Sequence, residues 1–137
     1  SGSVTGVPER LGYVFQEDRL CGVFSAVANV RLATGRALPE PEILRHLEEL
    51  GLAGSARRPV SQLSGGMRRR VAIARAVCAG PQLLLLDEAF KGLDDQCRRD
   101  TVAYIRRHTP GASLLCVTHD PEEAALLGGR CLDLSAL

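Results

Sequence analysis

The chain has 137 residues, the usual size of one domain, and its 45% hydrophobic and 24% charged residues are typical of globular proteins. A formal net charge of +1 and 4% aromatic residues without tryptophan argue against a nucleic-acid partner, which would need a basic surface or stacking rings. No apolar run approaches the roughly 20 residues that cross a bilayer, and the N-terminal residues lack a signal-peptide pattern, so we expect no direct membrane insertion.

The cysteines are widely spaced along the chain. No pair has the C-x-x-C spacing of a zinc or redox site, and an odd number of cysteines fits a disulfide framework poorly. We therefore expect free thiols in a reducing cytoplasm at all five positions, which are Cys21, Cys78, Cys97, Cys116 and Cys131.

After a strand-like stretch that ends near Gln16, residues 25–80 are predicted to be mostly helical. Pro39–Leu50 carries apolar residues at helical spacing on one face and is followed by a glycine, a common helix terminator. Ser64 has the character of an N-cap, and the helix after it is predicted to run to about Ala79, where a Gly-Pro pair stops it. These helices form an insertion before the next strand.

From residue 81 onward, strand-like and helix-like segments alternate, which is the pattern of an α/β fold with a mainly parallel sheet. Gln82–Asp87 and Ser113–Thr118 are apolar runs typical of buried strands, and Cys131–Leu134 is predicted to be a last short strand. Helices are predicted over Asp94–His108, where an aspartate is available as N-cap, and over Pro121–Leu127, which has a proline and two glutamates in its first turn.

Two adjacent acids end the first of these strands. Because α/β sheets bind ligands at the carboxyl ends of their strands, Asp87 could face a hydrated Mg²⁺ and Glu88 could point to an attacking water. Nucleotide hydrolysis separates these two tasks, since one acid holds the metal and the other orients or deprotonates the nucleophile. Taken alone, however, the pair is better explained by a strand that ends in a polar turn.

A hydroxyl and two glycines stand at the start of one predicted helix, within Leu63–Met67. Ser64, Gly65 and Gly66 would leave several backbone N–H groups uncovered, and the positive end of the helix dipole favours an anion such as a phosphate. In isolation, a Ser-capped helix after a glycine-rich turn is again the better explanation.

Two further polar residues follow strand-like stretches. His119 would lie at the same edge of the sheet as Asp87 and could donate a hydrogen bond to a phosphate oxygen. Gln16 could reach a metal or a water. A lone histidine at a strand end is usually just a polar terminus, and the alternative explanation of Gln16 is a solvated loop amide.

The order and spacing of these residues resemble the ATP-binding-cassette (ABC) ATPase family. In the terms of that family, Gln16 matches the Q-loop, Leu63–Met67 the signature and Leu83–Glu88 the Walker B motif, while Gly92–Asp94 matches the D-loop and His119 the switch histidine. The resemblance covers nearly the whole chain. It implies a partial P-loop NTPase core with a mainly parallel sheet and an inserted α-helical subdomain.

Two local features resemble a narrower group of the family. Residues 14–20 and Met67, which replaces the commoner signature glutamine, are most similar to importers of the nitrate, sulfonate and taurine group. This resemblance implies that the chain powers the import of a small solute.

The resemblance also implies roles for single residues. Asp87 and Gln16 would hold Mg²⁺, Glu88 would be the general base, and His119 would sense the γ-phosphate of ATP together with Gln16. In the family, two ATPase domains pair head to tail around two ATP molecules.

By this pairing, Ser64, Gly65 and Gly66 would contact the ATP of the partner subunit, and Asp94 would communicate across the dimer. A homodimer of ATPase subunits is therefore implied, at the cytoplasmic face of the cell membrane. The segment from Glu17 to about Val30 would meet a transmembrane permease subunit.

The resemblance divides the chain into two parts. Residues 1–24 and 81–137 would form the remnant of the catalytic core, and residues 25–80 the helical subdomain that carries the signature. The sequence contains no G-x-x-x-x-G-K-[ST] motif. Since Ser1–Gly6 resembles the segment just after the Walker A helix, we expect a chain truncated before or through Walker A.

The expected truncation has two consequences, and the sequence departs from the family pattern at two positions. Without a P-loop the chain alone is expected to hydrolyse no ATP, and an open apolar sheet face is expected to favour self-association. Ala89 replaces the usual proline after the Walker B glutamate, and Arg69 stands where glutamine is common in the signature helix. Neither substitution removes a catalytic group.

Three functions are compatible with these features. The first is an importer ATPase subunit, and the second is a non-hydrolytic module that binds or regulates a permease or another ATPase. The third is an ABC-type ATPase in DNA repair or translation. Neither a long coiled-coil insertion between Gln16 and Ser64 nor a second cassette is visible, which disfavours the third.

Overall fold

A computed structural model describes residues 2–134. Three strands form one parallel sheet in the order β1-β2-β3, and they comprise β1 (Leu11–Val14), β2 (Leu83–Asp87) and β3 (Ser113–Val117). The helices are α1 (Ala26–Thr34), α2 (Glu40–Glu49), α3 (Gly65–Cys78), α4 (Asp95–His108) and α5 (Pro121–Leu127). The α/β class and the parallel sheet are thus confirmed, and the predicted strands and helices other than the last strand agree with these bounds to within about two residues.

The register of the sheet brings the carboxyl ends of the three strands to one edge. Val14 pairs with Leu86, and Leu86 pairs with Cys116. The residues that follow β1, β2 and β3 therefore share this edge, which is where open α/β sheets bind ligands.

Short polar side chains begin the longer helices at the predicted positions. Ser64 Oγ accepts a hydrogen bond from the Met67 N–H of α3 at 3.2 Å, and Asp94 Oδ1 accepts one from the Cys97 N–H of α4 at 2.8 Å. Each cap satisfies a backbone donor that the first helical turn leaves without a partner. The boundaries of α3 and α4 follow from these local contacts.

The predicted strand at Cys131–Leu134 is wrong. These residues are exposed and do not belong to the three-stranded sheet. Gly128 and Gly129, with φ angles of 66° and 96°, end α5 and turn the chain away before this segment begins. A segment of four residues with a central aspartate would gain few ladder hydrogen bonds for the backbone entropy that it loses.

One hydrophobic core joins the helical insertion to the sheet. It extends from Val14 of β1 through Val71 of α3 to Ile105 of α4. At Gly12 the contact of α3 with β1 is so close that a Cβ atom would lie 2.9 Å from the Ala76 carbonyl oxygen. Helix α3 thus packs both on the helical insertion and on the sheet. The division of the chain at residues 24 and 80 into a catalytic core and a helical subdomain remains a prediction.

One face of the sheet is buried by the rest of the protein, and the other is largely exposed. Val14, Leu84 and Leu86 lie on the buried face. On the other face, which we call the open face, Tyr13 and Leu115 flank Leu85 in register, and both are exposed. The open apolar face agrees with the expectation from sequence.

Candidate functional site

Glu88 occupies an unusual backbone conformation immediately after β2. Its φ angle is 48°, in the left-handed region that residues with a Cβ rarely adopt. The Glu88 N–H donates to the Val117 carbonyl oxygen at 2.9 Å, which ties this turn to β3. Surrounding structure must stabilise such a conformation, and strain of this kind is concentrated at functional sites.

The carboxylate of Glu88 contacts the imidazole of His119. The distance between His119 Nδ1 and Glu88 Oε1 is 2.8 Å, so the ring nitrogen donates to the carboxylate when it carries a proton. The hydrogen bond to Glu88 and the negative charge of that group raise the pKa of His119. His119 is 81% exposed, so its second ring nitrogen is accessible to a ligand. The structure brings together two of the predicted site residues.

Contacts outside the predicted set fix the backbone around His119. Thr118 Oγ1 donates to the buried carboxylate of Glu123 at 2.5 Å. Asp120 accepts from Arg98 of α4 at 2.6 Å and also caps α5. Sequence reasoning missed Arg98, whose contact spans 22 residues without a local pattern to mark it, and noted Glu123 only as an acid in the first turn of α5.

Gln16 lies just beyond β1, at the same sheet edge as Asp87, and it is exposed. The ring of Phe15 stacks on that of Tyr13 with a centroid separation of 4.0 Å, and the Arg19 guanidinium lies 4.2 Å from the Phe15 ring centroid. These contacts fix the backbone on both sides of Gln16 and leave its amide available.

The oxygen donors at this edge fit Mg²⁺. Asp87 offers a carboxylate and Gln16 an amide oxygen, both of which are hard ligands. No group of three or more His, Cys, Asp or Glu side chains within residues 2–134 is arranged to hold a metal. Mg²⁺ is usually bound by one or two carboxylates together with waters and substrate phosphates.

The residues at the start of α3 form a second group, separate from the first. A Cβ atom on Gly66 would lie 3.5 Å from the Gly92 carbonyl oxygen and from Leu93 Cδ2, so this helix start packs beside the turn before Asp94. Apart from its chain neighbours and the backbone of its own helix, the nearest atom to a Cβ on Gly65 would be Arg68 Nη2 at 3.9 Å. The helix start is therefore open to a ligand at Gly65.

Arginines of α3 hold the segment after β1. Arg69 donates to the carbonyl oxygens of Phe15 and Gln16, and Arg75 donates to those of Arg19 and Asp18. Burial lowers the pKa of Arg75. Sequence reasoning noted Arg69 only as a departure from a family pattern and did not identify these contacts.

A second contact that the sequence did not reveal joins α2 to α4. His46 Nδ1 lies 2.8 Å from the Tyr104 hydroxyl oxygen, and the ring of His108 lies against both rings. Glu49 accepts a hydrogen bond from Arg107, and it accepts one from His108 when His108 Nε2 carries a proton. Burial raises the pKa of Tyr104 and lowers that of His46. The cluster fixes α2 of the helical insertion on α4 of the sheet layer.

Asn29 organises the loop between the sheet edge and α1. Its buried side chain accepts from the Cys21 N–H at 2.8 Å and donates to the carbonyl oxygens of Cys21, Phe24 and Ser25. Val23 and Phe24 remain exposed on this loop.

No helix within residues 2–134 combines the length and the apolar character that crossing a membrane requires.

Comparison with known proteins identifies relatives over almost the entire chain. The family model described as ABC transporter matches residues 3–91. An aliphatic sulfonates import ATP-binding protein, SsuB 2 of Burkholderia cenocepacia, is 42% identical over 136 residues, which are 97% of this chain and 50% of that protein. The taurine import ATP-binding protein TauB of Yersinia pestis is 41% identical over 140 residues, with 96% of this chain and 54% of that protein covered.

The fold is also similar to that of solved structures. The ATP-binding cassette MJ0796, in a dimeric post-hydrolysis state bound to ADP and Pi, superposes with a TM-score of 0.75 at 28% identity. The match covers 85% of this chain and 55% of that one. The chain thus spans about half the length of the relatives that it matches.

Proposed function

The chain belongs to the ABC transporter family, and we propose that it forms part of an ATP-binding subunit that hydrolyses ATP to power the import of a small solute. One observation carries the proposal. Glu88, next to Asp87 at the ligand-binding edge of the sheet, is held in a left-handed conformation and touches His119. This contact supports a site in which an acid activates water beside a proton donor for a phosphate.

Each group at this edge has a distinct task in the proposed reaction. Glu88 orients the attacking water and accepts its proton, and protonated His119 donates to the γ-phosphate of ATP. Asp87 and the amide of Gln16 would hold Mg²⁺, which would neutralise charge on the phosphates. Such an enzyme gains its rate by positioning and charge stabilisation, so the strained turn at Glu88 contributes by fixing the carboxylate beforehand.

The second group of site residues serves the ATP of a second subunit in this proposal. The open helix start offers the N–H groups of Gly65 and Gly66 to a phosphate. The Ser64 oxygen accepts the capping hydrogen bond, and its hydroxyl proton is still available to donate. Asp94 follows the turn that packs on Gly66 and would relay the state of one ATP to the other. The dimeric state of MJ0796 supports the pairing of two subunits, for which we propose a head-to-tail homodimer.

In this proposal the partner at the membrane is a permease subunit. The ATP-binding subunit is peripheral, on the cytoplasmic side of the membrane. The exposed Val23 and Phe24 on the loop held by Asn29 are the contact that we propose for the permease. The names of the relatives, which import aliphatic sulfonates or taurine, support an organic sulfonate as solute, with nitrate as a related anion.

A second candidate function is a non-hydrolytic module that binds a permease or another ATPase. A G-x-x-x-x-G-K-[ST] motif provides the main cradle of N–H donors for the phosphates, so its presence or absence in the full-length gene product separates this candidate from the first. The two candidates differ in whether the full-length gene product turns over ATP.

Solute uptake tests the proposal in the source organism. In a strain that lacks the gene, we expect uptake of labelled taurine or alkanesulfonate to fall, to recover with the unsubstituted gene, and to remain low with Glu88→Gln. Recovery with Glu88→Gln would support the binding module instead. Normal uptake of sulfonates and nitrate in the deleted strain would contradict the import function.

A further inference from the structure

Arg69 lies between the two groups of site residues and is almost completely buried, with 7% of its surface exposed. Its Nη1 donates to the Phe15 carbonyl oxygen at 2.6 Å, and its Nη2 donates to the Gln16 carbonyl oxygen at 2.5 Å. Its Nε lies 3.3 Å from Asp18 Oδ1. All three nitrogens of the guanidinium therefore point to one stretch of four residues.

This arrangement depends on the shape of the arginine side chain. A planar guanidinium donates in fixed parallel directions, whereas a lysine ammonium is a point charge that cannot span two successive carbonyl groups and a carboxylate. Asp18 Oδ1 is buried, and no hydrogen-bond partner is found for it within residues 2–134. Its negative charge is therefore compensated by the ion pairs that Asp18 forms with Arg69 and Arg68.

The position of Arg69 on α3 gives these contacts a consequence. Ser64 caps the same helix, and Gln16 follows β1 at the sheet edge where Asp87 ends β2. One rigid side chain thus links the helix start of the second group to the loop of the first. A displacement of α3 must move the backbone of Phe15 and Gln16, because packed elements do not deform continuously.

We propose that Arg69 is a positioning residue for ATP hydrolysis, which holds the Phe15 and Gln16 carbonyls on α3 and so fixes where the Gln16 amide meets the Mg²⁺ and the attacking water. The inference rests on the proposed function, and it assigns a role to a residue that the sequence had marked only as a departure.

We call the contacts of Arg69 with Phe15, Gln16 and Asp18 the clamp. Trypsin cleavage after Arg19 in the full-length gene product tests whether this clamp exists. We expect Arg69→Gln and Arg69→Lys to raise the cleavage rate at Arg19 by about tenfold, since proteolysis follows the population of the opened segment. Arg70→Gln is the matched control, because Arg70 lies on the same helix but donates to the Leu50 and Gly66 carbonyls. Cleavage after Arg99 in α4 reports global unfolding and is expected to remain unchanged.

Steady-state ATP hydrolysis by the same proteins tests the positioning role. For Arg69→Gln and Arg69→Lys we expect kcat to fall by about 10- to 100-fold and the Mg²⁺ concentration for half-maximal activity to rise, with a smaller change in KM for ATP. If Arg69 acts through Gln16, Gln16→Ala adds little to Arg69→Gln, whereas independent residues would give effects that multiply.

Unchanged cleavage at Arg19, or multiplying effects of Arg69→Gln and Gln16→Ala, would overturn the inference. If the unsubstituted protein hydrolyses no ATP, the proposed function fails, and the role of Arg69 in hydrolysis fails with it. The trypsin experiment would then still decide whether the clamp itself exists.

Discussion

His119 Nδ1 and Glu88 Oε1 lie 2.8 Å apart and join the turns that follow β3 and β2. The contact holds an acid with a φ angle of 48° against a histidine that is otherwise exposed to solvent. Because the two residues are 31 positions apart, the distance depends on the pairing of β2 with β3, in which Asp87 faces Val117. The parallel sheet therefore sets the geometry of the candidate site.

The first prediction concerns the titration of His119. The hydrogen bond to Glu88 raises its pKa above the ordinary value of 6.5, so Glu88→Gln is expected to move the pKa back toward 6.5. Because the folded-state pKa is raised, the pair stabilises the fold fully below pH 6.5, and this contribution is lost as the pH rises through the folded-state pKa. NMR titration of the imidazole protons measures the shift. His46 is the internal control, and an unchanged His119 pKa in Glu88→Gln would contradict the contact.

The second prediction concerns the link between α2 and α4. Tyr104→Phe removes the hydroxyl that contacts His46 and leaves the half-buried ring nitrogen without this partner, so the free energy of unfolding is expected to fall by about 1 kcal/mol. Tyr13→Phe is the matched control, because Tyr13 lies partly exposed on the open face and should change stability by less than about 0.5 kcal/mol. Urea denaturation measures both variants, and equal effects would contradict the role of the Tyr104 hydroxyl.

The third prediction is a pH dependence of stability at the same cluster. Burial, and then the charge of His108, lower the pKa of His46, while Glu49 and Glu42 oppose the shift and Arg45 adds to it. As the pH falls, His46 therefore takes up a proton in the unfolded state before it does so in the folded state. The stability contribution of neutral His46 is lost as the pH falls from 6.5 through the folded-state pKa. His46→Gln should reduce this loss, as measured by the urea midpoint at about pH 7.5 and about pH 5.5. An identical pH dependence of the two proteins would contradict the prediction.

The fourth prediction concerns the open face of the sheet. Residues 1–137 expressed alone are expected to self-associate, because Leu115 and Val117 are exposed there beside Tyr13. Leu115→Lys places a charge on this face and should shift the distribution toward monomers in light scattering. Leu132→Lys, at an exposed position outside the sheet, is the control. A strictly monomeric unsubstituted chain would contradict the prediction.

Features that depend on neighbouring residues could be predicted from the sequence. The caps at Ser64 and Asp94 involve donors three residues away, and the apolar run of Leu83–Leu86 marks a strand without reference to the rest of the chain. The shared sheet edge of Gln16 and His119 followed from the general behaviour of parallel strands.

Features that depend on distant pairs could not be predicted. The contact of Arg69 with Phe15 spans 54 residues, and that of His46 with Tyr104 spans 58, so no local periodicity encodes them. The predicted strand at Cys131–Leu134 failed for a related reason, since its apolar residues have strand propensity, but the chain leaves the sheet after α5.

The central claim is that Glu88 and the start of α3 serve different ATP molecules in a head-to-tail dimer. Gly65→Asp places a negative charge at the open helix start, where it would repel a phosphate while remaining favourable to the helix dipole. The most direct measurement is ATP turnover by mixed dimers of the full-length gene product. If Glu88→Gln and Gly65→Asp are on opposite subunits, one site keeps both intact groups, and about half of the turnover is expected to remain. If both substitutions are on one subunit, each site is damaged, and turnover should be lost. Equal turnover in the two arrangements would contradict the account.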